Sequence, residues 1–268
     1  MVSSSSKPVL FFDIDNCQLY PKSTKVAEMM SHLIVDSPLT SAASPDQYFQ
    51  THLALTQHEA NELHNRYYKE YGLAIEGLVR HHKVDPLEYN SKVDDALPLE
   101  KVIKPNPKLK KLLQDIDTDR VRLWLFTNAY VNHGKRVVRL LGVEEFFEGI
   151  TFCDYGAAKF VCKPHKDMFA KAMQEAGVQR VEECYFVGAC LASSHDGRRF
   201  NIFPDDSFIN CKAALELGWT AAHLVESSEP EPPQQASQYQ IHDLEELRTI
   251  FPQFFRTPPN DPPQKSLP

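Results

Sequence analysis

An unbroken apolar run, Val9-Leu10-Phe11-Phe12, gives way to Asp13-Ile14-Asp15 near the start of the chain. A short run rich in Val and Phe, without polar alternation, predicts a strand buried on both faces of a parallel sheet, with two carboxylates at its carboxyl end. From Thr24 to about Pro98 the pattern turns helical, with no second strand of comparable strength. Ser44-Pro45-Asp46 supplies a cap and a first-turn proline, and Tyr48, Leu55, Leu63, Tyr67 and Tyr71 suit long helices ending at Gly72. A further helix is predicted from Leu73 to about His82. Because this block falls between the first strand and the next, it predicts an insertion, residues 20–98, that folds as a helical cap.

Strand and helix patterns then alternate. Helices are predicted over Pro107 to Asp115, Asn132 to Leu141, His165 to Ala176 and Ser207 to Leu217, with Gly142, Gly177 and Gly218 as stops. Strands are predicted at Val121 to Phe126, Ile150 to Cys153, Cys184 to Val187 and Trp219 to Val225, the last of the sheet. This alternation predicts an α/β fold, a Rossmann-like parallel sheet with helices on both faces, built from residues 8–19 and 99–226. Residues 227–240, rich in Pro, Glu, Gln and Ser, read as a linker with too few apolar groups to pack. Residues 241–256 read as a short helix, capped at Asp243, that docks on the core through Phe251, Phe254 and Phe255. Residues 257–268 carry many prolines and read as a disordered tail.

Composition narrows the classes. A chain of 268 residues, 42% hydrophobic and 24% charged, is an ordinary globular length, and a net charge of -7 gives no electrostatic footprint for a nucleic-acid polymer or an anionic membrane. The six cysteines form no Cys-x-x-Cys pair, and no apolar stretch reaches bilayer length. The expectation is an intracellular protein with reduced thiols, cytoplasmic or also nuclear, acting on a small molecule.

Four elements end in polar groups that an open parallel sheet would gather at one edge. Asp13 and Asp15 follow the first strand, Thr127 the second, Lys163 lies in a loop, and Asp205-Asp206 precede a helix. Carboxylates gathered in this way repel one another unless a cation and a lysine compensate them, and hard oxygen ligands suit magnesium. The set predicts a site for magnesium and phosphate. Within the helical block, Arg80-His81-His82-Lys83 either faces an anionic substrate or is a solvated helix end favoured by the dipole.

The order Asp13-x-Asp15, Thr127, Lys163-Pro164, Asp205-Asp206 resembles the four motifs of haloacid dehalogenase superfamily phosphohydrolases. Asp13-Ile14-Asp15-Asn16-Cys17, the stretch from Gly77 to Pro98, Leu125 to Tyr130 and Val161 to Pro164 look like the fungal-type pyrimidine 5′-nucleotidases. That resemblance implies a Rossmann-like core, a cap inserted after the first strand, and magnesium-dependent hydrolysis of nucleoside monophosphates such as UMP and CMP. It makes Asp13 the nucleophile and Asp15 the acid and base, with its backbone carbonyl on magnesium. It makes the Thr127 hydroxyl and the Asn128 backbone amide phosphate ligands, and Lys163 the neutralising cation. Asp206 becomes a carboxylate ligand of magnesium, with Asp205 a ligand or an acceptor beside it.

Two departures bear on activity. Gln18 intervenes before Leu19, which shifts only a loop. Seventeen residues, Gly188 to Pro204, separate Val187 from Asp205, where the family pattern runs directly from strand to acids. The insert has no amphipathic pattern. It is either an anion-binding arm carrying His195, Arg198 and Arg199, or a retained intron of 17 × 3 = 51 nucleotides. The competing functions are hydrolysis of another small phosphoester (a sugar phosphate, nicotinamide mononucleotide or a lysophospholipid) and a catalytically impaired homologue.

Overall fold

The structure, a computed structural model, describes residues 7–14, 53–71, 73–189, 206–225, 232 and 234–257. Its strands are β1 (Val9–Phe12), β2 (Arg122–Phe126), β3 (Gly149–Thr151), β4 (Cys184–Ala189), β5 (Thr220–Leu224) and β6 (Tyr239–Ile241). All pairings are parallel, in the spatial order β3-β2-β1-β4-β5-β6. The chain builds β2 and β3 on one side of β1, then crosses back to place β4 on the other. Strand order therefore reverses at β1, and the crevice beyond its carboxyl end is where open α/β sheets bind ligands.

Period-two alternation splits the sheet's side chains between two cores. Leu10, Phe12, Leu123, Leu125 and Val187 join one with residues of α5 (Pro107–Asp115) and α6 (Val131–Leu141). Val9, Phe11, Trp124, Phe126 and Phe186 join the other with residues of α7 (Lys166–Ala176) and α8 (Asp206–Glu216). This is the predicted α/β architecture, covered on both faces. Each large side chain buried from β1 contributes about 1.5–3 kcal/mol, which anchors the strand that carries Asp13.

Between β1 and β2 lie α1 (Gln57–Tyr71), α2 (Ala74–His82), α3 (Pro86–Lys92) and the short α4 (Leu99–Val102). Helices α1 to α3 share a cluster of their own, with Tyr67, Ile75, Leu78 and Tyr89 packed against Cys153, Tyr155 and Cys162 of the segment after β3. Gly77 permits the α1–α2 approach, since a Cβ there would fall 2.1 Å from the Tyr67 ring. Where the chain returns to the sheet, Arg136 of α6 donates to the carbonyls of Asp95 and Leu97, at 3.0 and 2.5 Å, and to the Glu100 carboxylate.

Two expectations need correction at the carboxyl end. Strand β5 is not the last: β6 pairs with it over Ala222↔Tyr239 to Leu224↔Ile241, inside and just beyond the stretch read as linker. Ala236 and Ser237 are buried, and the Gln238 side chain accepts from Ala221 N at 2.7 Å and donates to Trp219 O at 3.1 Å. Polar side chains thus bind this stretch to a strand edge through hydrogen bonds, which a count of apolar residues does not register. After it, Asp243 and Glu246 form a capping box, α9 (Leu247–Ile250) follows, and Phe251 and Phe254 meet Tyr185 edge to face at 5.3 and 4.8 Å. The second correction concerns the insert. Strand β4 continues through Gly188 and Ala189, which pair with His223 and Leu224. The rest of the insert, the Ser44-Pro45-Asp46 cap, the Gly72 helix stop and residues 258–268 of the tail lie outside the described residues.

Candidate active site

Asp13 is the first residue beyond β1, and its amide still donates to Val187 O at 3.1 Å, so sheet pairing fixes its position. Its Oδ1 accepts from Ile14 N at 2.9 Å, and its Oδ2 lies 2.7 Å from Lys163 Nζ. The same ammonium donates to Phe126 O at 2.8 Å and stands over the rings of Phe126 and Phe186, at 5.0 and 5.4 Å. Lys163 is only 1% exposed. Removing an ammonium from water costs several kcal/mol unless its charge is met. A carboxylate, a carbonyl and two aromatic faces meet it here, so the core of the sheet holds the lysine against Asp13.

Thr127 stands at the matching end of β2, fully buried, with its amide on Thr151 O at 3.0 Å. Its Oγ1 accepts from Ala129 N at 2.9 Å and turns the chain there. Asn128 fixes Lys163 from outside the strand. Its Nδ2 donates to Lys163 O at 2.9 Å, and its Oδ1 accepts from Lys163 N at 2.7 Å. The peptide bond that follows, Lys163-Pro164, is cis. Asp13, Thr127, Asn128 and Lys163 are thus brought together at the strand-order reversal. Asp15 and Asp205 lie outside the described residues, and Asp206 opens α8 with a side chain outside them too. Among the described residues no group of three His, Cys, Asp or Glu side chains is placed to hold a metal ion.

Residues 8–192, more than half the chain, match the family model of the haloacid dehalogenase-like hydrolases. The chain belongs to this family. Phosphate metabolism protein 8 of Saccharomyces cerevisiae is 35% identical over 230 residues, covering 82% of this chain and 63% of the yeast protein. The chain therefore spans less than two thirds of that relative's length. Among solved structures, the HAD-hydrolase YfnB of Bacillus subtilis, bound to magnesium, shares 18% identity over 92% of this chain and 99% of its own, with a TM-score of 0.55. L-2-haloacid dehalogenase of Xanthobacter autotrophicus, with chloropropionic acid covalently bound, shares 14% identity over 92% and 99%, with a TM-score of 0.53. These two share the fold.

The basic cluster of the helical block is divided. His81 Nε2 lies 2.8 Å from Tyr71 Oη, and His82 Nε2 lies 2.7 Å from Tyr67 Oη. Burial, with His81 and Arg66 nearby, holds the His82 pKa below the ordinary imidazole value, which favours the neutral ring. Lys83 is the exposed C-cap of α2, in a left-handed conformation. Arg80 lines a cleft, beside Glu76. Each histidine is thus partnered by a tyrosine hydroxyl of α1, His81 at an exposed position and His82 half-buried. Sequence reasoning missed three features: the Asn128 side-chain clamp, Glu76, and the stack of Tyr130 on Tyr155. The clamp and the stack pair residues distant in the chain, which no local pattern signals, whereas Glu76 lies one helical turn before Arg80, a spacing the sequence does carry. The four cysteines among the described residues are buried and form no disulfide with one another, and burial chiefly pushes the Cys162 thiol up to about 12. Among the described residues no helix is long and apolar enough to cross a membrane.

Proposed function

We propose that this hydrolase releases phosphate from nucleoside 5′-monophosphates, UMP and CMP foremost, through an aspartyl phosphate on Asp13. The observation that carries the reading is the buried Asp13–Lys163 pair, 2.7 Å apart at the point where strand order reverses. In the first step an Asp13 carboxylate oxygen bonds phosphorus, the bond from phosphorus to the ribose oxygen breaks, and Asp15 gives that oxygen a proton. In the second, Asp15 takes the proton of a water whose oxygen bonds phosphorus, and the bond to Asp13 breaks to free phosphate. Lys163 offsets the charge spread over the transferring group, while the Thr127 hydroxyl and the Asn128 amide hold its oxygens. The 35% identity to a protein named for phosphate metabolism supports a phosphoester substrate.

Asp13 is a hard oxygen donor at the crevice, as magnesium requires. The Asp15 carbonyl, Asp206 and Asp205 would complete the protein's share of its ligands. When bound, the ion would add positive charge against the phosphoryl oxygens.

One observation favours a second reading, an impaired homologue. Strand β4 runs on to Ala189, and residues 190–204 stand between it and the two acids of the metal motif. Phosphate release with magnesium, measured over UMP, CMP, AMP, GMP, ribose 5-phosphate, nicotinamide mononucleotide and a lysophospholipid, separates the readings. Release greatest from UMP and CMP is expected. Release from another phosphoester alone overturns the substrate, and none from any supports the impaired homologue.

A further inference from the structure

We propose that Glu76 and Arg80 read the edge of the nucleobase, bound in the cleft that α2 and α3 form with the loop at residues 155–160. The inference rests on the nucleotide reading above and names the residues that would set its specificity. The cleft holds about 460 Å³. Tyr155, Phe160 and Leu87 give it apolar walls, and Leu87 is 46% exposed there, a large apolar side chain that a bound ring would cover. An apolar cleft with a few convergent polar groups is the common form of a small-molecule site.

The polar groups converge on one spot. Glu76 is 7% exposed, and its carboxylate accepts from Arg80 Nη2, while the Arg80 guanidinium stands over the Tyr71 ring at 4.9 Å. An acceptor and a donor thus lie side by side at the cleft wall. Uracil offers the complement along one edge, an N3–H to donate and a neighbouring carbonyl to accept. Cytosine offers its amino group and N3. A ribose phosphate without a base offers neither, and a site built for such a pair discriminates against a ligand that leaves it unsatisfied.

Three links join the cleft to the Asp13 site. Tyr130 follows Asn128 by two positions and stacks on Tyr155 of the cleft, with centroids 5.3 Å apart and planes at 24°. Phe160, 5.9 Å from Tyr155, precedes Lys163 by three positions, a reach of at most about 11 Å along the chain. Between them Cys162 packs in the buried cluster that also holds Ile75 and Leu78 of α2 and Tyr155 of the cleft. A phosphate at Asp13 and a base in the cleft would therefore belong to one ligand.

The test measures dissociation constants for UMP and for ribose 5-phosphate by calorimetry in EDTA, so that no turnover is needed. The full-length chain is expected to bind UMP at least about tenfold more tightly than ribose 5-phosphate. Glu76→Gln should cut that ratio severalfold. Leu87→Trp, at an exposed position that the fold tolerates, should bring the ratio near one by filling the cleft. Equal constants for the two ligands in the parent, or a ratio unchanged in both variants, would overturn the proposal. Failure of the nucleotidase reading has a different signature: with magnesium restored, no phosphate would be released from UMP whatever the binding ratio.

Discussion

The side-chain amide of Asn128 closes on the backbone of Lys163 from both sides, donating to its carbonyl at 2.9 Å and accepting from its amide at 2.7 Å. The clamp joins the turn after β2 to the loop 35 positions later, and so sets where the lysine enters the core. Asn128→Ala removes both bonds and lets the Lys163 backbone drift. Since misplacement of a catalytic group by about 1 Å can cost on the order of 100-fold, kcat should fall roughly 10- to 100-fold. Steady-state kinetics on a small aryl phosphate should show this loss, and Asn128→Asp, which can still accept from Lys163 N, should recover part of it.

Lys163→Met leaves the Asp13 carboxylate in a nearly closed site without its cation. Breaking a buried pair in this way typically costs about 3–5 kcal/mol. Urea denaturation should show such a loss, and Asp13→Asn in the Lys163→Met background should restore a large part of it. A double variant no more stable than Lys163→Met would mean that the pair contributes little to the fold.

His223 gives a pH dependence unrelated to the chemistry. It is 1% exposed on β5, faces the Phe208 ring, and has no hydrogen-bond partner for either ring nitrogen among the described residues. Burial lowers its pKa from 6.5 to about 4. The unfolded chain therefore binds the proton first as pH falls. The stability contributed by the neutral ring is fully present above pH 6.5 and is lost between 6.5 and about 4, by about 3 kcal/mol at most. The urea midpoint should fall over that window, and His223→Leu should flatten the fall.

Deleting Gly188 to Pro204, so that Val187 joins Asp205, should raise magnesium-dependent phosphate release at least about tenfold if the insert displaces the metal carboxylates. The junction puts Asp205 where Gly188 now stands, and a Cβ there would meet Cys211 Sγ and the Phe186 ring, both at 2.9 Å. Cys211→Ala should accordingly improve the deletion variant further. A full-length chain as active as the deletion would show that the insert is a tolerated loop.

The sheet was legible where one signal dominates. Strands β1 and β2 are short apolar runs, and α7 carries an apolar stripe closed by Gly177 in a left-handed turn. Strand β6 was not, because Ile241 alone of its three residues is buried in the core, and the polar stretch before it is held by Gln238 and by pairing. The order of Asp13, Thr127 and Lys163 pointed to one crevice, and the structure places them there. That His81 and His82 turn to tyrosines 10 and 15 positions upstream depends on how α1 and α2 pack, which charge patterning along the chain does not encode.

The central claim is that Asp13 carries the phosphoryl group. Phosphate release from UMP with magnesium, compared between the full-length chain and Asp13→Asn, tests it most directly, because an amide is a far poorer nucleophile at phosphorus in a site of nearly unchanged shape. The account predicts release by the parent and none above background by the variant, with the variant's urea midpoint confirming that it is folded. Release by Asp13→Asn near the parental rate would contradict it.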